Sequence, residues 1–225
     1  MRVQSWCLIV VAVVAVSAML GCATSGQQRR VAGPANVLII GDSISIGYFQ
    51  PTKQLLESEA LVYHNAGNAQ HTAHGLDKLD EWLGDTRWDV IHFNHGLHDL
   101  KYIDASGKRV PPSEGTQQIL VEDYARNLEK LVRRLKKADA KLIFATTTPV
   151  PEGASGRVKG DSERYNKAAL PIMKRHRVQV NDLYAFALPR LDSIQRPRDV
   201  HFTKEGSSLL AEQVARHIRS ALESR

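Results

Sequence analysis

From Asn36 onward, short apolar runs alternate with stretches in which apolar residues return every three or four positions. Val37–Ile40, Leu61–His64, Val90–Phe93, Leu142–Ala145 and Val178–Val180 are short and apolar enough for buried strands. Between them the pattern predicts helices over Thr52–Glu59, Thr72–Leu83, Asp123–Lys137, Ser162–His176 and Glu205–Ser224. Leu128, Leu131, Val132 and Leu135 form one apolar stripe on the third of these, and Leu210, Val214, Ile218 and Leu222 form another on the last. Arg133-Arg134 and Lys136-Lys137 lie opposite the first stripe and read as a solvated face. Strands alternating with helices imply a parallel sheet covered on both faces. Ala105–Thr116 and Pro149–Gly160 interrupt the pattern as Gly- and Pro-bearing insertions of the kind that shape a site.

The first residues follow a different pattern. Arg2 precedes an apolar stretch from Cys7 to Leu20 broken only by Ser17. As a helix, this stretch spans about 21 Å, short of the roughly 30 Å of a membrane core. Residues 1–21 therefore read as an export signal. The junction Met19-Leu20-Gly21-Cys22 resembles a bacterial lipobox, which implies lipid on Cys22 and a membrane anchor at the cell envelope. Met19 and Leu20 depart from its usual Leu and small residue, and a plain secretory cut near Ala23 is the alternative. Residues 22–35 read as a polar tether reaching roughly 20 Å, and residues 36–225 as one domain. Once the leader with Cys7 is gone, no internal disulfide can form, and the core alone must hold the fold. The 225 residues suffice for that. Thirty Lys and Arg against 24 Asp and Glu leave a mild surplus of +6, scattered among acids, which does not point to nucleic acid.

In such sheets ligands sit beyond the carboxyl ends of the strands, so the residues there carry the candidate chemistry. The first strand runs into Gly41-Asp42-Ser43, which places a hydroxyl at a strand-to-helix turn among free backbone N–H groups. The same tripeptide also makes an ordinary helix cap. Gly67 follows the second strand, where a bare backbone N–H can face the same point or simply meet a turn's need for positive φ. Asn94 and Gly96-Leu97-His98-Asp99 follow the third strand, and Asp199-Val200-His201 precedes the last helix. His71, His74, His95 and His98 have spacings that invite a zinc reading, but Ser43 and His201 already supply a chemistry without a metal.

With these blocks the chain resembles the SGNH/GDSL hydrolase family from Asn36 to about Leu222. The resemblance implies a three-layer α/β/α sandwich with a five-stranded parallel sheet in the flavodoxin-like order 2-1-3-4-5. It implies Ser43 as nucleophile, His201 as base and no cofactor. Its oxyanion hole would be the N–H groups of Ser43 and Gly67 together with a side chain in the third block. There the family carries Asn and this chain carries His98, with Asn94 as a substitute donor. The family's acid stands three residues before the His, where this chain has Arg198. Asp199 is the acid within reach, a Ser43–His201 dyad is the alternative, and Asp182 is a distant third. The implied reaction is ester hydrolysis through an acyl-enzyme. Few aromatic residues and polar insertions such as Lys101–Glu114 favour removal of a small acetyl group from a polar or glycan carrier. The alternatives are a lysophospholipase or thioesterase, and a degraded glycan-binding module.

Overall fold

A computed structural model describes residues 33–223. The export leader, Cys22 and the tether as far as residue 32 lie outside the described residues. Strand β1 (Ala35–Ile40) is buried over nearly its whole length and takes a parallel neighbour on each side, β2 (Ala60–His64) and β3 (Val90–Phe93). Two short strands, β4 (Tyr102–Ile103) and β5 (Thr116–Gln117), pair antiparallel with each other outside the main sheet. The main sheet continues with β6 (Lys141–Ala145) and β7 (Gln179–Asn181), in the order β2-β1-β3-β6-β7 and parallel throughout. This is the expected five-stranded order, with the small hairpin as an excursion. All four residues of β3 are buried, as a parallel strand covered on both faces requires.

Helix α1 (Ser43–Leu55) begins at Ser43 and not at Thr52 as the apolar pattern indicates. Asp42 caps it, Oδ1 accepting the N–H of Ile44 at 2.9 Å. Pro51 lies inside the helix, where it has no N–H to donate to the turn before it. Helices α2 (Thr72–Leu83), α3 (Val121–Leu135) and α4 (Asp161–His176) follow the sequence pattern within two residues. The short helices α5 (Leu183–Ala187) and α6 (Leu191–Ile194) precede the long α7 (Lys204–Glu223). α2, α3 and α4 pack successively on one another, while α7 packs on α1. Leu128, Leu131, Val132 and Leu135 on α3 are buried, as are Leu210, Val214 and Ile218 on α7, while Leu222 at the end of the second stripe is partly buried. Burying each such side chain contributes about 1.5–3 kcal/mol. Arg133 and Arg134, on the outer side of α3, pair with Glu129 and Asp80.

The two insertions meet above the carboxyl ends of the strands. The Tyr102 N–H donates to the Gly156 carbonyl at 2.8 Å, and Arg157 Nε donates to the Leu97 carbonyl at 3.0 Å. The second insertion is thereby tied both to the β4–β5 hairpin and to the loop after β3.

Candidate active site

The turn after β1 is fixed from inside before any catalytic side chain is placed. The Gly41 N–H donates to Asn65 Oδ1 at 2.8 Å, and the Ala69 N–H donates to the Gly41 carbonyl at 3.0 Å. Asn65 is buried, and its Nδ2 also reaches the carbonyls of Ala66 and Gly67, each at 3.3 Å. One amide thus couples the Gly41-Asp42-Ser43 turn to the Gly67 turn, where φ is +67° and glycine is favoured. Gly41 needs its missing side chain as well: a Cβ there would come within 2.6 Å of Ser45 Oγ.

Ser43 Oγ lies 2.9 Å from His201 Nε2, and His201 Nδ1 lies 2.7 Å from Asp199 Oδ1. A carboxylate only accepts, so Nδ1 carries the proton and Nε2 is left to accept from the Ser43 hydroxyl. The His201 N–H also donates to Asp199 Oδ1, at 3.2 Å. Partial burial alone would raise the Asp199 pKa. The hydrogen bonds from His201, with the His201 and Arg196 charges, outweigh it and hold Asp199 below the ordinary carboxylate range. The side chains of His201 and Asp199 are 41% and 40% exposed, so water screens their attraction. The pairing therefore acts mainly by fixing the tautomer and orientation of the ring.

Asp199 can stand two residues before His201 because the loop turns sharply. Arg198, in the position where the resemblance implies an acid, has φ +57°, which swings the chain so that the next side chain faces His201. Buried Gln195 braces this loop, its Nε2 donating to the carbonyls of Pro149 (3.0 Å) and Val200 (3.1 Å). The Arg196 N–H donates to the His201 carbonyl at 2.9 Å. Asp182 is elsewhere, capping α5 through Ala185 and accepting from Thr146 Oγ1.

Of the other predicted residues, Asn94 is turned toward the sheet. Its Nδ2 donates to the Ala145 carbonyl at 2.7 Å and approaches Thr147 Oγ1 at 3.5 Å, so the amide joins the ends of β3 and β6. His98 is partly buried, with an Nδ1 that has no partner among the described residues. Burial first, then the charges of Lys101, Arg157, His71 and His95, push its pKa down to about 3. The ring is neutral at physiological pH, with one N–H to donate. Asp99 is fully buried, accepting from Thr72 N–H and Oγ1, and burial pushes its pKa up to about 7.

The rings of His71 and His95 have separate partners. His71 Nδ1 accepts from the His74 N–H at 3.2 Å, and His95 Nδ1 donates to the Gln70 carbonyl at 3.1 Å. Among the described residues, no group of three or more His, Cys, Asp or Glu side chains is placed to hold a metal ion. Beside Ser43 and His201 runs a groove of about 310 Å³ whose walls include Ile46, Pro51, Arg196 and Lys204.

The sequence reading missed Asn65 and Gln195 as supports and Arg157 as a neighbour of the site. Asn65 had a usable signal, an amide directly after a strand that ends beside the nucleophile turn. Arg157 had only its place in the Pro149–Gly160 insertion, and Gln195 had none, because the Pro149 carbonyl it holds lies in another segment.

The pattern of the GDSL-like lipase/acylhydrolase family matches residues 39–209. No curated protein sequence matches the chain. Among solved structures, the fold is similar to the lipase/acylhydrolase from Enterococcus faecalis, with TM-score 0.64, 23% identity, and coverage of 83% of this chain and 96% of that one. It is also similar to an acetyl xylan esterase from Geobacillus stearothermophilus, with TM-score 0.66, 17% identity, and coverage of 82% and 94%. A second acetyl xylan esterase gives TM-score 0.65 at 16% identity over 81% of this chain and 99% of that one.

Proposed function

Because this chain belongs to the GDSL-like lipase/acylhydrolase family, we propose that it is an exported ester hydrolase that removes a small acyl group, acetyl in the first place, from a polar or carbohydrate carrier. The observation that carries the reading is the hydrogen-bonded chain from Ser43 through His201 to Asp199.

In the reaction, His201 Nε2 takes the Ser43 proton as Oγ attacks the ester carbonyl. The negative charge that develops on the carbonyl oxygen is met by the N–H groups of Ser43 and Gly67 and by the neutral His98 ring. His201 then returns the proton to the leaving alcohol, and the acyl group stays on Ser43. Water, deprotonated by His201, attacks the acyl-enzyme, releases the acid and restores the hydroxyl. Asp199 holds the ring in one tautomer and stabilises the imidazolium between these steps.

The small-acyl preference is supported by the groove beside Ser43, where Arg196, Lys204, Ser207 and Ser208 stand among a few apolar side chains. It is supported too by the likeness to acetyl xylan esterases. The test is a series of p-nitrophenyl esters from acetate to palmitate, with Ser43→Ala as the blank. Acetate should be the best substrate, and Ser43→Ala should lose at least about 10⁴-fold in kcat. A long-chain preference replaces the acetyl reading with a lysophospholipase or thioesterase one. Absence of Ser43-dependent turnover leaves a binding module.

The leader extends the proposal to the envelope, with lipid on Cys22 as the anchor. More than one acyl chain anchors stably, so the protein should stay with membranes in high salt. Cys22→Ser should release it, and an unchanged membrane fraction overturns this part.

A further inference from the structure

The basic side chains of this molecule fall into two groups. On the helical layers they are mostly paired: Arg133 and Arg175 with Glu129, Arg134 with Asp80, Arg164 with Asp161, Arg219 with Glu59. Above the strand ends, Lys101, Arg109 and Arg157 take part in no ion pair among the described residues. They are also crowded. Burial and the charges of Arg157 and Arg109 push the Lys101 ammonium down, and burial and Arg109 hold Arg157 down to about 10.

This crowding is built into the backbone. Arg157 is anchored by Nε to the Leu97 carbonyl at 3.0 Å, one residue before His98. The stem of Arg109 lies across Gly156, where any Cβ would collide with it, and the Gly156 carbonyl accepts from Tyr102 at 2.8 Å. The carboxylates that act on Lys101 and Arg157 are Asp99, Asp42 and Asp199. Each has another duty: Asp42 caps α1, Asp99 holds Thr72, and Asp199 holds His201. Arg157 is near enough to feel both Asp42 and Asp199, so the Arg157 end of the cluster borders the Ser43–His201 pair. His98, neutral, stands beside two of these cations, Lys101 and Arg157. Three like charges gathered beside a reaction centre raise the local concentration of anions there.

We propose that the ester substrate carries an anionic group, a carboxylate or a phosphate, and that Lys101, Arg109 and Arg157 select it. This rests on the ester-hydrolase reading above and narrows its substrate class. A sugar acid or a sugar phosphate has the shared chemistry; a neutral glycan does not.

The test compares acetylated glucuronic acid with acetylated glucuronamide, which differ in the charge alone, and adds acetylated glucose 6-phosphate as the phosphate arm. The quantity is the ratio of kcat/KM for anionic over neutral ester, which cancels any general loss of activity in a variant. The wild type should prefer at least one anionic ester by about tenfold or more at low salt, with the preference shrinking at high salt. Arg109→Gln and Lys101→Gln should each lower the ratio severalfold, and Arg157→Lys should keep it. Which anion gains more separates carboxylate from phosphate. Calorimetric binding of the same esters to Ser43→Ala protein reads the preference without turnover. Tighter binding of the anionic ester with no hydrolysis by the wild type upholds this inference while the ester-hydrolase reading fails. Equal kcat/KM and equal binding for charged and neutral esters, or a ratio unmoved by Arg109→Gln and Lys101→Gln, overturns it.

Discussion

Helix α1 carries two serine–histidine pairs two residues apart, and only one of them is built to react. Ser43 Oγ meets His201 Nε2 at 2.9 Å, and Ser45 Oγ meets His64 Nε2 at 2.7 Å. The distances barely differ; the surroundings do. Behind His201 is a carboxylate, and behind His64 is the backbone carbonyl of Asn65, at 2.8 Å from Nδ1. A proton taken by His201 leaves an imidazolium facing a negative charge. A proton taken by His64 would leave one facing a neutral dipole in a half-buried place, where burial already lowers its pKa. Ser45 is itself buried, and its hydroxyl donates to the Asp42 carbonyl at 2.7 Å. Ser43 borders an open groove. Proximity of Ser to His is therefore no signature of a nucleophile; the group behind the ring and the access in front of the hydroxyl decide.

The comparison breaks most visibly at Asp199. Asp199→Asn replaces the carboxylate with a group no better than the one behind His64. We expect a fall in kcat on the order of 10⁴-fold on the best ester, the size of the same exchange in serine proteases. Retention of most activity would mean that Ser43 and His201 work as a dyad and that the carboxylate is not what distinguishes the pairs.

Next in size is the oxyanion side of the proposed reaction. His98→Ala should cost about 10²–10³-fold in kcat with KM little changed. A drop confined to KM would assign His98 to substrate binding alone.

The buried pair should answer in stability and not in chemistry. Ser45→Ala removes hydrogen bonds beside the Gly41 turn and should destabilise by about 1–2 kcal/mol in denaturant unfolding. Its kcat should stay within about tenfold of wild type. A loss as large as that of Ser43→Ala, in a protein that remains folded, would make the two pairs equivalent.

The smallest effect is in the pH dependence of that stability. His64 is harder to protonate in the folded protein than in the unfolded chain, so unfolded molecules bind its proton first. Its share of stability is whole above the unfolded pKa of about 6.5. It declines as the pH falls below that value toward the lower folded pKa. Thermal unfolding of His64→Gln compared with wild type from neutral to acidic pH should show a shallower decline in the variant. Identical slopes would place the relevant protonation at another histidine.

Much of the scaffold could be read from the chain because its central strands are continuous apolar runs and its long helices carry clean stripes. Leu128 to Leu135 and Leu210 to Ile218 are buried where the period places them. The start of α1 was not legible in the same way, because Pro51 interrupts the pattern while Asp42, nine residues earlier, supplies the cap. α5 and α6 are too short to show a period. At the site, Ser43, Asp199 and His201 could be located because each stands at a strand end or before a helix. The direction of an amide could not: Asn94 donates to a carbonyl 51 residues away and Gln195 to one 46 residues away. Such partners are set by which strand ends become neighbours in the folded sheet. Arg198 was misleading as an obstacle, since its left-handed backbone is what lets the neighbouring Asp199 face His201.

The two reacting side chains are 158 positions apart, one at the start of the domain and the other just ahead of its last helix. A chain made from its N-terminus exposes Ser43 early and acquires His201 only near the end of synthesis. A contact of such long range forms late in folding, because most of the chain must be ordered before its ends can meet. Since α7 docks on α1, the loop that holds His201 settles only when the C-terminal helix has closed against the nucleophile's own helix. A nascent chain thus holds a serine with no base. The Ser43–His201–Asp199 arrangement is assembled in a single step with the completed fold.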